Sequence, residues 1–185
     1  DIGGFDSNAD DRTVEFQTIE GQTYWIVCEG IFFFSVFAML LALGRQNKMQ
    51  GIADQIKYTL RDESSHISFG IYLINTLIEQ NPSILSESIQ EEFTEHIKKA
   101  VDLEIAYAHD VLPTGILGLN ADMFVDYMHY IGNRRLEAIG IDYRFPSDHN
   151  PFPWLGEVVD VQAMGNFFER RVREYQQSGS LEDDF

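Results

Sequence analysis

The stretch "YTLRDESSHISFG", residues 58–70, places three ionisable side chains in a segment that otherwise has the pattern of a buried helix. Its acids are Asp62 and Glu63, and His66 follows one helical turn after Glu63. Because residues three and four positions apart share one face of a helix, Glu63 falls on an apolar stripe. That stripe consists of Ile56, Leu60, Glu63, Ile67 and Ile74. An acid on such a stripe needs a physical reason, since a protein core disfavours an unpaired charge.

An upstream segment carries a second acid in the same kind of position. Glu29 is the only charge in a stripe of large apolar residues at helical spacing, which are Ile26, Phe33, Val36, Phe37 and Leu40. Burying an isolated carboxylate is costly unless it is paired, hydrogen-bonded or bound to a cation. A divalent metal would explain two such acids on consecutive helices that face one core.

Glu63 and His66 form a Glu-x-x-His pair, whose spacing lets both side chains reach one ion from the same helix face. With Glu29 from a neighbouring helix, the pair makes half of the ligand set of a dinuclear carboxylate bundle. Carboxylate and imidazole ligands suit iron or manganese, whereas a thiolate-rich set favours zinc. The alternative interpretation puts Glu63 on a solvated face with Arg61 as its partner.

Similar spacings occur elsewhere in a more polar context. Asp126 and His129 have the same spacing, and Glu92 and His96 are four residues apart. Charged and polar neighbours at helical distances favour a solvated face for both pairs. The single cysteine, Cys28, is predicted to be a small buried hydrophobic residue.

Composition excludes several classes of function. The 185 residues are 44% hydrophobic, enough for one compact core, and 30 acids against 13 bases give a net charge of −17. This charge repels phosphate backbones and anionic lipids, so neither nucleic acid nor membrane is an expected partner. One cysteine forms no internal disulfide, which favours a reducing, cytoplasmic setting.

The most apolar run, from Ile31 to Gly44, is shorter than the roughly 20 residues that a membrane span requires. It is therefore expected to be a core helix. The sequence starts at Asp1 without a methionine, which indicates that an upstream part has been removed or is encoded elsewhere.

The periodicity predicts an all-α protein without a strand pattern. Residues 1–12 are expected to form a flexible leader, and a loop rich in proline and aromatic residues follows the last long helix. The predicted helices are Thr13–Leu43, Lys48–Gln80, one from Ser83 or Ser86 to just before Pro113, Asn120–Ile139, and a short one from Asn166 to Tyr175.

Together these segments resemble the second half of the radical-generating, di-iron small subunit of class I ribonucleotide reductase. The resemblance runs from about residue 12 to the C-terminus. It is carried by "EGIFFFSVFAMLLALGRQNKMQG", "LRDESSH", "LEIAYAHDVLPTGILGLNADMFVDYMHYIGNRRLEAIG", "NPFPW" and "NFFERRVREYQQSG". It implies a ferritin-like helical bundle, in which residues 13–175 supply two of the four metal-binding helices together with additional C-terminal helices.

The resemblance also implies roles for individual residues. Glu29, Glu63 and His66 would be ligands of two iron ions, with a manganese–iron pair also compatible. Asp62 and Tyr175 would carry the radical toward the large subunit. The alternative, purely structural roles are a surface acid beside Arg61 for Asp62 and a packing aromatic for Tyr175.

Two further implications concern apolar and acidic segments. Phe33 and Phe37 would belong to the apolar pocket around the radical, and both are expected to be core residues of the complete protein. Residues 176–185, which end in "LEDDF", would form the acidic tail that docks on the large subunit.

The first carboxylate ligand, a second Glu-x-x-His pair and the radical tyrosine of the family cannot be placed in this sequence. We therefore predict that a separate N-terminal polypeptide supplies that half, and that the small-subunit units dimerise and act with the large subunit in deoxyribonucleotide synthesis. One alternative is a homodimeric, ferritin-like iron-oxidising bundle with its metal site at the dimer interface. Another is a non-catalytic protein that binds the large subunit.

Overall fold

The computed structural model describes residues 21, 23–116, 118–156 and 158, and every structural statement below concerns these residues. The chain divides into two compact units, Asp1–Phe152 and Pro153–Phe185. The first contains four helices in its described part: α1 Thr23–Arg45, α2 Gln50–Gln80, α3 Glu87–Val111 and α4 Ala121–Ala138. In the second, residues 153–156 are helical. No strand occurs among the described residues, so the all-α prediction is confirmed.

The ends of α4 are set by capping residues that can be read from the sequence. The Asn120 side chain caps α4 by accepting a hydrogen bond from the Met123 amide at 2.9 Å. Gly140, with φ of 79°, ends the same helix in a left-handed conformation that favours glycine. Its amide donates to the Glu137 carbonyl at 3.0 Å. Both ends of α4 were predicted within a residue.

The core lies where the four helices meet. α1 packs on α2, and α3 packs on α4. A π-helical turn within α1, Cys28–Phe32, contacts all three other helices. Asn75 of α2 donates to the Ala138 carbonyl of α4 at 3.0 Å and so joins the two pairs. The largest fully buried side chains are Ile26, Ile31, Leu60, Ile74, Ile97, Val101, Phe124, Tyr127, Met128, Leu136 and Phe152.

The buried stripe of α1 differs from the predicted one after Glu29. Phe33 and Val36 are 41% and 40% exposed, although the spacing placed them on the inner face. The observed inner face continues instead through Ile31, Ser35, Ala38 and Ala42. The π turn contributes to the difference, because one extra residue in a turn rotates everything after it by about 100°, while Phe37 of the predicted stripe remains buried.

α1 is also longer than the apolar run suggested. Its 23 residues, with a mean hydropathy of 2.4 in the most apolar window, are long and apolar enough to cross a membrane. Length therefore does not exclude a span for this helix, and it does not contradict the predicted core helix. Length and composition alone are weak evidence for a span, because the core helix of a soluble protein has the same features, and 44% of this window is buried.

Candidate metal centre

Glu29 lies in the π turn of α1. The amide of Phe33 donates to the Cys28 carbonyl five residues earlier, which is the wide turn of a π-helix. Such turns often occur at functional sites. The Glu29 side chain is 18% exposed and points toward α2. Cys28, next to it, is exposed, which corrects the prediction that it is buried.

α2 brings Glu63 and His66 to the same point. His66 Nδ1 donates a hydrogen bond to Glu63 Oε2 at 3.1 Å, and the same nitrogen lies 3.4 Å from Glu29 Oε2. The Glu63 side chain is 12% exposed, whereas that of His66 is 50% exposed. The predicted convergence of the three residues is therefore present, at a place that is open on the His66 side.

The pKa shifts of Glu29 and His66 indicate that this group of side chains needs a cation. Burial raises the pKa of the Glu29 carboxyl, and the neighbouring Glu63 raises it further. The hydrogen bond to Glu63 raises the pKa of His66, and the charges of Glu29, Glu63 and Asp62 act in the same direction. Two acids held this close favour the presence of a cation between them, either a proton on His66 or a metal.

The donor atoms fit a metal. One ligand atom from each of Glu29, Glu63 and His66 lies within 4.8 Å of the other two, and no second group of this kind occurs in the described part of the chain. The set offers two carboxylates and one imidazole, which suit iron or manganese. These three residues could hold an ion at the α1–α2 contact, and further ligands would have to approach from the open side.

Trp25 belongs to the same site, although it was not predicted. Its indole N–H donates to Glu29 Oε2, and its ring lies edge-on to the His66 ring, with centroids 6.2 Å apart. Residues four apart on a helix are neighbours, so the spacing from Trp25 to Glu29 was an available signal. A hydrogen bond of this kind fixes the orientation of a ligating carboxylate.

Asp62 occupies the surface beside the group. Its side chain is 61% exposed and lies 3.7 Å from the Arg61 guanidinium. This is the arrangement that the surface-acid interpretation expects. The same exposure leaves the carboxylate free to meet a group from outside the described chain, so its role in radical transfer stays a prediction.

The two phenylalanines of the predicted apolar pocket have different environments. Phe37 is 4% exposed, whereas Phe33 is 41% exposed. Their rings contact each other with centroids 5.9 Å apart. Phe33 therefore extends the buried Phe37 cluster to the surface of the described chain.

The two other acid–histidine pairs remain separate from this site. The ring of His129 stacks on Phe145, with centroids 5.5 Å apart, and burial lowers the pKa of His129. This is a half-buried packing position rather than the solvated face expected from the sequence. The ring of His96 lies near that of Tyr24. Tyr175 and residues 176–185 lie outside the described residues, as do the leader at 1–12 and the predicted helix at 166–175.

An apolar face surrounds the open side of the group. On α1 it includes Trp25 at 45% and Phe33 at 41% exposure, and on α2 Phe69 at 64%. Phe69 lies one turn after His66 on the same helix face. Large exposed aromatic side chains that adjoin one another are typical of a surface that another element covers.

Comparison of the sequence with protein families gives a match to the family described as "Ribonucleotide reductase, small chain", over residues 6–151. The ribonucleoside-diphosphate reductase subunit beta of Chlamydia pneumoniae is 53% identical over 158 residues, covering 85% of this chain and 45% of that relative. That of Treponema pallidum is 30% identical over 162 residues, covering 85% and 46%. The chain thus spans about half the length of these relatives.

Solved structures give the same result. The chain resembles a putative class I ribonucleotide reductase from Bacillus halodurans with a TM-score of 0.72 and 27% identity, covering 78% of this chain and 52% of that one. The resemblance to the ribonucleotide reductase R2 subunit from Clostridium botulinum has a TM-score of 0.69 and 31% identity, covering 77% and 44%. The ferritin-like helical fold predicted from the sequence is confirmed.

Proposed function

Because the chain belongs to the family of ribonucleotide reductase small chains, we propose that it supplies half of a dinuclear metal centre that generates a radical for ribonucleotide reduction. The observation that carries this proposal is the convergence of Glu29, Glu63 and His66 from two helices. A structural ion pair would need one acid for one base, whereas here two acids share a single imidazole. A divalent cation balances that arrangement.

The residues of the chain would hold the metal and prepare the site around it. Glu29 and Glu63 would contribute carboxylate oxygens, and His66 an imidazole nitrogen. Trp25 would keep the Glu29 carboxylate oriented through its indole N–H. Two iron ions, or a manganese–iron pair, would activate dioxygen as the oxidant that generates a protein radical.

The remaining ligands would come from a complementary pair of helices that covers the apolar face. The exposure of His66 and Phe69 supports this, because both lie on the open side of the group, where such helices would bury them. The assignment of those helices to a separate polypeptide stays a prediction. In the complete protein, residues 13–175 would form the C-terminal half of the bundle.

Transfer of the radical would use the outer side of the same helix. Asp62 precedes the ligand Glu63 and points away from it, so it can hydrogen-bond a histidine that the complementary helices contribute. Tyr175 would receive the oxidising equivalent, and the tail 176–185 would dock on the large subunit. We place this assembly, with dimeric small-subunit units, in the cytoplasm.

Removal of one ligand tests the metal assignment. We expect Glu63→Ala to lose most of the bound iron in the assembled subunit, because the two remaining donors cannot hold an ion in place. Metal content after anaerobic loading with Fe(II) is measured by plasma mass spectrometry, and helicity by circular dichroism. Native mass spectrometry of the same sample gives the number of polypeptides in the subunit.

The matched control is Glu92→Ala, which removes an exposed acid that also has a histidine at helical distance. It should retain the iron content of the wild type. If Glu63→Ala folds and binds as much iron as the wild type, Glu63 is not a ligand and the proposal fails.

A further inference from the structure

Arg135 of α4 contacts the turn of α1 that carries Glu29. Its Nε donates to the Gly30 carbonyl at 3.1 Å, and the guanidinium carbon lies 5.0 Å from the centre of the Phe34 ring. The two residues are 105 positions apart in sequence. The contact therefore joins the C-terminal end of α4 to the residue that directly follows a candidate metal ligand.

The approach leaves no room for a side chain at position 30 unless Arg135 moves. A Cβ atom at that position would lie 2.9 Å from Arg135 Nε and 3.4 Å from its Cδ. Any larger residue would push the arginine away. Gly30 is buried in the middle of a helix, where glycine costs about 1 kcal/mol relative to alanine, so its presence is explained by this contact.

A charged side chain at position 135 needs a physical reason, because desolvating its charge is costly. Burial lowers the pKa of its guanidinium to about 10, so the group stays charged at neutral pH. No ion pair involves it among the residues that the structure describes. An apolar side chain of similar length would avoid the cost of desolvating a charge. The guanidinium makes two contacts that an apolar side chain could not make, a hydrogen bond to the Gly30 carbonyl and a cation–π contact with the Phe34 ring.

The π turn is the feature that this contact stabilises. A helix prefers bonds between residues four apart, and wide turns persist where the surroundings favour them. A side chain that bonds to a helix carbonyl is one way to hold such a distortion. Gly30 lies inside the turn Cys28–Phe32, so fixing its carbonyl fixes the backbone from which Glu29 projects.

We propose that Arg135 is a positioning residue for the metal centre: by holding the Gly30 carbonyl it maintains the π turn that directs Glu29 toward Glu63 and His66. This inference rests on the proposed metal-binding function. Arg135 touches no ligand atom itself, and acts through the backbone next to Glu29. Residues that orient metal ligands typically change metal affinity by roughly 10- to 100-fold when they are replaced.

The test compares Arg135→Met and Arg135→Lys with the wild type in the assembled subunit. Mn(II) affinity is measured by titration of the metal-free protein, with free Mn(II) followed by electron paramagnetic resonance. Hydrogen exchange of the metal-free protein reports the stability of the turn. We expect Arg135→Met to bind Mn(II) roughly 10- to 100-fold more weakly, with faster exchange confined to residues 28–34. Arg135→Lys keeps the charge without Nε and should fall between.

Arg134→Met is the matched control, because Arg134 is exposed and donates to the Tyr130 hydroxyl on the surface. It should leave both measurements unchanged. Gly30→Ala supplies a second test: it should weaken Mn(II) binding in the wild type and have little further effect in Arg135→Met, since the two changes break one contact.

Three results would overturn the inference. Arg135→Met could retain wild-type Mn(II) affinity and exchange, it could lose protection evenly over all helices, or the effects of Gly30→Ala and Arg135→Met could simply add. If the wild type binds neither Mn(II) nor Fe(II), the proposed function fails and Arg135 positions no ligand. Local exchange then still shows whether Arg135 holds the turn.

Discussion

His66 and His129 have opposite electrostatic environments, although each follows an acid by three residues on a helix. The carboxylates around His66 raise its pKa, because they stabilise the charged imidazolium. Burial against Phe145 lowers the pKa of His129, and the more distant Asp126 and Asp102 only partly oppose this. His66 therefore attracts positive charge, whereas His129 is suited to remain neutral.

Because burial lowers the pKa of His129, this residue should make the free energy of unfolding depend on pH. The neutral folded form binds fewer protons than the unfolded chain, whose histidine has a pKa near 6.5. The contribution of His129 to the free energy of unfolding is therefore fully present above the pKa of the unfolded histidine, and it is lost as the pH falls below that pKa. We expect His129→Phe, which keeps an aromatic ring on Phe145, to lose less stability than the wild type between pH 7 and pH 5.

Urea unfolding at several pH values measures the effect. His109→Phe, at an exposed position of α3, is the control and should show the wild-type slope. Identical slopes for His129→Phe and the wild type would show that His129 is equally protonated in both states.

Single residues differ in how far the sequence reveals them. Glu29, Glu63 and His66 were predictable, because a charge on an apolar stripe and a Glu-x-x-His spacing are local patterns. Arg135 was not, since its partner is 105 positions away and a lone arginine near a helix end is usually solvated. Trp25 lies between these cases, with a local spacing but no pattern that distinguishes it from a packing aromatic.

At the scale of elements, the helices were predictable and the π turn was not. Asn120 and Gly140 mark the ends of α4 because each acts through its own backbone neighbours. The turn in α1 depends on contacts with other helices, and it shifts the buried face by one residue after Glu29. A periodicity analysis assumes 3.6 residues per turn throughout, so it placed Phe33 and Val36 inside.

The loop after α4 depends on one buried side chain. Asn133 donates to the Ser147 carbonyl at 3.2 Å and accepts from the Phe145 amide at 2.6 Å. Its replacement by alanine leaves these backbone groups without partners in the core. We expect Asn133→Ala to lower the free energy of unfolding by about 2–3 kcal/mol, the cost of two unsatisfied buried groups.

Urea unfolding at pH 7 measures this loss. Asn150→Ala is the control, because the Asn150 side chain accepts only a local hydrogen bond, from the Phe152 amide two residues on. It should cost clearly less. If Asn133→Ala is as stable as the wild type, the loop is held by its apolar contacts alone.

At the scale of the molecule, the described helices form a core of their own and also expose an apolar face. α2 packs on α1, and the exposed Trp25 of α1 and Phe69 of α2 lie next to ligand residues on the open side of the candidate metal centre. The metal ligands and the exposed aromatic residues thus share one boundary. Covering that boundary would complete the ligand set and bury the apolar surface in a single step.

This arrangement predicts that a charge on the apolar face prevents assembly without unfolding the helices. Phe69 is 64% exposed, so Phe69→Glu should leave the packing of α1 on α2 intact. It should prevent the complementary helices from docking, because a carboxylate would be buried opposite them. We expect most of the bound iron to be lost while helicity is retained, as measured by plasma mass spectrometry and circular dichroism. Ile52→Glu, at a 44% exposed position in the first turn of α2, should retain its iron, and normal iron content in Phe69→Glu would show that the complementary helices bind elsewhere.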